Sequence, residues 1–295
     1  MKKHGLLIFS AIIVCVLLMS LVACNGGSGN DMPKVTFKAG MTLDEIKTEF
    51  EKVVTCKYIG NVGDAVYTWT LGREGFYVVK TEGESVEYVE AHEYVADKLY
   101  VLFGDEENKS QVYDTSGFDV DKNIGLKSML GEVFDKMAED GVTYWIENNS
   151  IFIKLGENDV LTLKDFNKEK FSLPAEFAKH RDSAVGKDVL LFEENNDVEG
   201  GAYTFSDTDF HITFNSLVIP SEYKGKPVTQ IYCRPMCNLT IPTSVKSIRG
   251  VVSTSFGKLT ITYLGTREEW NKVENHDFWD EYSLYTVVCN DDASK

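Results

Sequence analysis

The chain has 295 residues, with 46 acidic against 30 basic side chains and a formal net charge of −16 at pH 7. A balance this acidic excludes nucleic-acid binding, because phosphate contacts need a basic footprint. It also repels anionic lipid headgroups, so charge cannot hold the chain at a membrane.

Met1-Lys2-Lys3-His4 is followed by an apolar run from Gly5 to Ala23 and then by Cys24. Two lysines make a charged n-region, the run makes an h-region, and a small residue precedes the cut. An uncleaved transmembrane helix would have about this length too. Ala23 before Cys24 and the Gly/Ser tether after it favour cleavage. Leu21-Val22-Ala23-Cys24 resembles the lipobox of bacterial lipoprotein precursors. The resemblance implies a signal peptide over 1–23 and a diacylglycerol on the Cys24 thiol, with residues 24–33 as a lipidated tether. It also implies a location in the cell envelope, with the lipid anchoring the protein to the outer, extracytoplasmic face of the membrane. Loss of Lys2 and Lys3 leaves the mature chain more acidic still, which we read as solubility on a crowded surface.

The α+β N-terminal domain spans 34–182. Thr42 with Glu45 three places on forms a capping box, and Leu43, Ile46, Phe50, Val53 and Val54 recur at helical spacing. The pattern predicts a helix over Met41–Val54. From Ala65 the period changes to two, giving strands at Tyr67–Leu71, Phe76–Val79, Val86–Val89 and Leu99–Phe103, punctuated by Gly72, Gly75, Gly83 and Gly104. A second helix is predicted from Ile124 to Glu139, stopped by Asp140-Gly141. Strands follow at Val142–Glu147, Ile151–Leu155 and Val160–Leu163, and the domain closes after Pro174. These elements predict an antiparallel sheet with two helices. Residues 183–204 read as a linker with one strand, Val189–Phe192.

Over 205–292 the texture shifts to Thr, Ser, Ile and Pro. Leu217-Val218-Ile219-Pro220 recurs as Leu239-Thr240-Ile241-Pro242 and again as Leu259-Thr260-Ile261-Thr262, at steps of 22 and 20 residues. The first and third residues of each short strand should point inward and stack on the next, with the middle residue outward. Val228/Ile231 and Val245/Ile248 should fill the interior from the returning side. A single such unit cannot bury its apolar face, so neighbours must stack.

The segment from Ile219-Pro220-Ser221-Glu222-Tyr223 to Val228-Thr229-Gln230-Ile231 resembles the BspA-like leucine-rich repeats of bacterial surface proteins. Tyr263-Leu264-Gly265-Thr266-Arg267-Glu268-Glu269-Trp270, with Trp279 and Val288-Cys289 after it, resembles that family's closing unit. The usual Ala-Phe pair and Cys are replaced by Cys233-Arg234-Pro235-Met236-Cys237 and Val251–Phe256. The resemblance implies a short leucine-rich-repeat β-solenoid, cell-surface presentation and, as in some members, adhesion or protein binding. The layout of the N-terminal domain, with Glu87-Tyr88-Val89 and Asp97–Val101, is similar to lipoprotein carriers of the LolA/LppX type. That likeness implies a sheet curled around acyl chains, lined by Tyr67, Trp69, Phe76, Val78 and Tyr100.

The sequence offers no nucleophile constellation. G-x-S-x-G is absent, and Ser28 lies between glycines only in the tether. His92, in Glu90-Ala91-His92-Glu93, lacks the second histidine of a zincin and reads as a surface or edge-strand residue. His211 reads as a packed strand residue and His276 as solvated. Asp119-Val120-Asp121-Lys122-Asn123-Ile124-Gly125 differs from a calcium loop in its glycine position and has Leu130 at the bidentate position. An Asp-rich helix N-terminus explains it better. Glu268, Glu269, Glu274, Asp277, Asp280 and Glu281 read as a solvated acidic face. Cys56, Cys233, Cys237 and Cys289 could form two disulfides, but we read 233, 237 and 289 as free, packed thiols. No catalytic residue, cofactor or metal is expected. The expected activity is non-catalytic binding of a protein or glycan partner through the outward positions Val218, Thr240, Thr260 and Thr262; the alternative is carriage of a hydrophobic or lipid ligand by the N-terminal domain.

Overall fold

A computed structural model describes residues 32–104, 109–139, 141–156, 159–208, 212–232, 237–249, 259–274 and 285–292. The chain is mixed α+β and mostly sheet, and it divides into two compact units. The first unit holds residues up to 113 and 122–187; the second holds 114–121 and 188 onward.

In the first unit, helix α1 is Leu43–Phe50, shorter than the periodicity suggests. Its capping box forms as expected. The Glu45 amide donates to Thr42 Oγ1 at 3.3 Å, and Glu45 Oε2 accepts from the Thr42 amide at 2.7 Å. Helix α2 is Leu126–Ala138.

The strands are β1 Thr55–Val62, β2 Ala65–Gly72, β3 Gly75–Glu82, β4 Ser85–Val95, β5 Lys98–Phe103, β6 Gln111–Asp114, β8 Thr143–Glu147, β9 Ser150–Lys154, β10 Val160–Lys164 and β11 Val185–Lys187. Residue order and sheet order differ: the ten strands lie as β11-β6-β5-β4-β3-β2-β1-β10-β9-β8. The meander from β1 to β5 is antiparallel, as are β1–β10, β10–β9 and β9–β8, while β11 joins β6 in parallel.

Period-2 alternation gives the sheet two different faces. One face carries Cys56, Tyr58, Trp69, Leu71, Val78, Ile151, Ile153 and Leu163, packed with Ile46 and Phe50 of α1 and with Val133, Phe134 and Met137 of α2. Phe50 is the hub, with ring centroids 4.8 Å from Phe37, 5.0 Å from Phe134 and 5.5 Å from Phe166. On the other face Ala91 and Leu102 pack against Phe177 of the short helix α3, Ala175–Ala178. Gly125, at the start of α2, lies against the β2–β3 turn. A Cβ there would fall 2.2 Å from the Gly72 carbonyl oxygen and 2.4 Å from that of Gly75, a separation only glycine permits.

The second unit contains β7 Asp119–Val120, β12 Leu190–Asn195, β13 Ala202–Thr208, β14 Phe214–Val218, β15 Glu222–Tyr223, β16 Lys226–Tyr232, β17 Asn238–Ile241, β18 Ser247–Arg249, β19 Leu259–Tyr263, helix α4 Arg267–Trp270 and β20 Tyr285–Cys289. The stretch 183–204, expected as a linker with one strand, instead supplies β11, β12 and the start of β13. Strands β14, β17, β19 and β20 form one parallel ladder, closed at its β14 end by antiparallel β7. Strands β13, β16 and β18 form a second parallel ladder. Leu217, Ile219, Leu239, Ile241, Leu259 and Ile261 are all buried, as are Val228, Ile231, Val245 and Ile248. The predicted inward–outward phase therefore holds on these strands.

The third echo pairs differently from its sequence alignment. Leu239 pairs with Leu217 on one side and with Ile261 on the other, not with Leu259. The structural step from 239 to 261 is thus 22 residues, equal to the step from 217 to 239.

Candidate functional site

The outward side chains of the β14–β17–β19–β20 ladder form two rows. Val218, Thr240, Thr262 and Val288 occupy matched positions on the four strands. Ser216 pairs with Asn238, and Thr260 with Thr286, two residues back along the strands. The Thr260 amide donates to Asn238 Oδ1 at 2.9 Å, so the asparagine side chain extends the ladder. All four predicted face residues lie on this one surface; the register puts Thr260 in the row beside the other three. Val218 is 61% exposed and the three threonines are half-buried.

The face is bounded by Asp119. Its carboxylate accepts from Ser216 Oγ at 2.6 Å and from Asn215 Nδ2 at 3.0 Å, and these bonds, Ser216 first, hold its pKa below the usual carboxylate range. This corrects the helix-terminus reading. Asp119 lies on β7, and the first turn of α2 carries no acidic residue. No local pattern reveals the role, because the partner strand is 97 residues away.

The described residues of the acidic flank, Glu268, Glu269 and Glu274, are exposed, as a solvated face requires, and two of them are also wired locally. Glu269 closes a capping box on α4, accepting from the Thr266 amide at 2.8 Å, which lowers its pKa. Glu268 pairs with Lys272 at 2.7 Å. Asp277, Asp280, Glu281 and His276 lie outside the described residues, as do Cys24, Ser28, His211 and Cys233. Among the described residues no group of three or more His, Cys, Asp or Glu side chains is arranged to hold a metal ion.

The anchor types usual at tight interfaces occur on the other ladder. Tyr232, 60% exposed, pairs across strands with exposed Arg249. Sequence reading passed over this pair because the two residues end different strands. Phe192 and Tyr223 stack on the same sheet, with centroids 4.1 Å apart, and Lys224 Nζ lies 4.9 Å from the Tyr223 ring centre.

His92 is buried in the middle of the first unit's sheet, not on an edge. It stacks on Phe76 at 4.6 Å, and its Nε2 lies 2.5 Å from Glu90 Oε1. Of the five residues expected to line a carrier cavity, four share one face of the sheet and Tyr100 lies on the other. Trp69 and Val78 are core residues, Tyr67 and Phe76 pack against that same core, and Tyr100 packs with Ala91 and Leu102 on the opposite face. A surface cavity of about 310 Å³ in this unit is lined instead by Thr55, Lys57, Thr70, Tyr77, Asp165 and Phe171, among others. Its Asp165 pairs with Lys168 at 2.6 Å and with Lys57 at 3.8 Å.

Cys56, Cys237 and Cys289 are buried free thiols. Burial pushes the Cys56 and Cys237 pKa values up to about 12, so neither presents a thiolate nucleophile at neutral pH. No helix among the described residues is long and apolar enough to cross a membrane. No protein-family model, curated protein or solved structure matches the chain.

Proposed function

We propose that the protein is a lipid-anchored lipoprotein of the bacterial cell envelope that binds a protein or glycan partner without catalysis. We read the two parallel ladders as opposite sides of a short solenoid of the BspA-like leucine-rich-repeat type. The observation that carries the reading is the uncharged face of Val218, Thr240 and Thr262 on a ladder with a regular 22-residue step. Such a face makes no charge demand on its partner. It lacks large anchors, so each contact is weak; Tyr232 and Arg249, on the other ladder, form a separate candidate surface. Anchoring through Cys24 would raise the local concentration of sites, so many weak contacts act together.

Two measurements test this reading. Cells making the full chain should incorporate a fatty-acid probe at Cys24, and Cys24→Ala should abolish the label. Attachment of those cells to a glycoprotein-coated surface should be lost on replacing Thr240 and Thr260 with Glu, with far-UV circular dichroism unchanged, because both side chains point outward and the two are not register partners. Attachment that persists in this variant and also in Tyr232→Ala would remove the second unit as the binding site.

A further inference from the structure

The ten-stranded sheet of the first unit ends in two unlike strands. At one end β11 is three residues long and contains Gly186 and Lys187. Shortness and an edge lysine are usual devices that blunt a sheet edge. At the other end β8, Thr143-Tyr144-Trp145-Ile146-Glu147, carries none of them. It pairs with β9 through five consecutive positions without a bulge, and no other described strand pairs with it. Trp145 is 42% exposed and stacks on Phe152, with centroids 5.2 Å apart and planes 10° apart.

The turn fixes which backbone groups face the open edge. Asn148 and Asn149 both have positive φ, 51° and 56°, which defines a two-residue type I′ hairpin. Glu147 and Ser150 therefore form a hydrogen-bonded pair, and the alternation makes Trp145–Phe152 and Thr143–Lys154 hydrogen-bonded as well. The amides and carbonyls of Tyr144 and Ile146 point the other way, out of the sheet.

We propose that β8 pairs antiparallel with β8 of a second copy of this chain, about a two-fold axis through Trp145. This register uses every outward backbone group of Tyr144 and Ile146. Tyr144 of each copy exchanges two bonds with Ile146 of the other, four in all. A two-fold axis through Trp145 makes the pairing isologous, each residue i meeting j and each j meeting i. Apolar Tyr144 faces apolar Ile146, and Trp145 faces Trp145 at a non-hydrogen-bonded site, where cross-strand side chains approach most closely. Charge agrees with the register. Glu147, the strand's one charged residue, falls opposite the Thr143 hydroxyl, so no like charges meet across the pair. The aromatic row then runs Phe152–Trp145–Trp145–Phe152 over both sheets. A pair of five-residue strands is small for an interface, so the dimer is weak and concentration-dependent.

The test uses the full chain in detergent micelles. At a non-hydrogen-bonded antiparallel pair the Cα atoms lie about 4.5 Å apart, within disulfide range. Under a mild oxidant, Trp145→Cys should give a disulfide-linked dimer. Thr143→Cys should not, because the two copies of residue 143 are offset by four positions, about 13 Å. In sedimentation velocity the wild type should show a doubling of protein mass as concentration rises. Trp145→Lys and Trp145→Glu should each reduce the dimer at least about tenfold at the same concentration, and mixing the two should restore it. A wild type that stays monomeric up to its solubility limit, equal cross-linking of the two cysteine variants, or a Trp145→Lys dimer as strong as the wild type would each overturn the proposal. A segment of the same chain lying along β8 would give the first of these results.

Discussion

Asn167 joins three parts of the first unit that are far apart in sequence. Its Oδ1 accepts from the Val54 and Thr55 amides at 2.7 and 3.1 Å. Its Nδ2 donates to the Pro33 and Lys52 carbonyls at 2.8 and 2.9 Å. The residue itself holds a positive φ of 53°, which asparagine tolerates better than most side chains. One amide thus closes the end of α1, starts β1 and ties down the segment that precedes the helix. Asn167→Ala leaves the amides of Val54 and Thr55 without their acceptor, at a cost of about 1–3 kcal/mol per unsatisfied buried group. Asn167→Asp keeps the acceptor but sets a carboxylate oxygen against the Pro33 and Lys52 carbonyls, so its cost reports the donated bonds rather than the accepted ones. Urea unfolding of both variants measures the two costs; an Asn167→Ala loss below about 1 kcal/mol would mean that the accepted bonds do not set it. Nothing in Asp165-Phe166-Asn167-Lys168 announces this role, because its partners lie more than 110 positions away. The capping box of α1, by contrast, was legible because it is complete within four residues.

At the scale of elements, the short-range patterns translated well and the pairings did not. Period-2 alternation located β2 to β5 and β8 to β10 because each strand has one face against a core. Strand β1 was missed because Gly60 and Asn61 interrupt its apolar pattern, and its place between β2 and β10 depends on contacts remote in sequence. The repeats were found by their Leu-x-Ile texture, yet the third was aligned two residues out of register, since Leu259 and Ile261 both fit an inward position. Strand pairing, invisible in one sequence, decides for Ile261. The corrected register makes a graded prediction. Ile241 is fully buried on β17, between β14 and β19, so Ile241→Ala should cost about 2–5 kcal/mol. Thr240→Ala, on the outward row, should stay within about 0.5 kcal/mol. Ile261→Ala, with ladder partners on both sides, should cost more than Leu259→Ala, which has a partner only on β20. Equal losses at Ile241 and Thr240 would show the inward phase to be wrong, and a larger loss at Leu259 than at Ile261 would restore the 20-residue step.

For the whole molecule, the acidic excess and the wiring of particular carboxylates pull stability in opposite directions as pH falls. Protonating scattered surface carboxylates relieves the self-repulsion of a chain at −16. Five carboxylates spread over both units oppose this. Glu45 and Glu269 sit in capping boxes, Glu49 and Asp165 bond to lysines, and Asp119 is held by Ser216 and Asn215. Each has its folded-state pKa lowered, so on acidification the unfolded chain takes up protons before the folded one does. Their stabilisation is complete above the unfolded-state values, about 3.9 for Asp and 4.3 for Glu, and it is lost as pH falls through the depressed folded values. Thermal stability should therefore vary little between pH 7 and about 5 and fall below about 4. Asp119→Asn isolates one contribution, because asparagine can still accept a hydrogen bond but cannot titrate. Hydrogen exchange at the β14 and β17 amides, followed against pH, should find the wild type better protected than Asp119→Asn at pH 7, with the difference closing as Asp119 is protonated. A difference that stays constant across this range would mean that shape rather than charge holds β7 to β14, and one that widens in acid would reverse the sign of the Asp119 contribution.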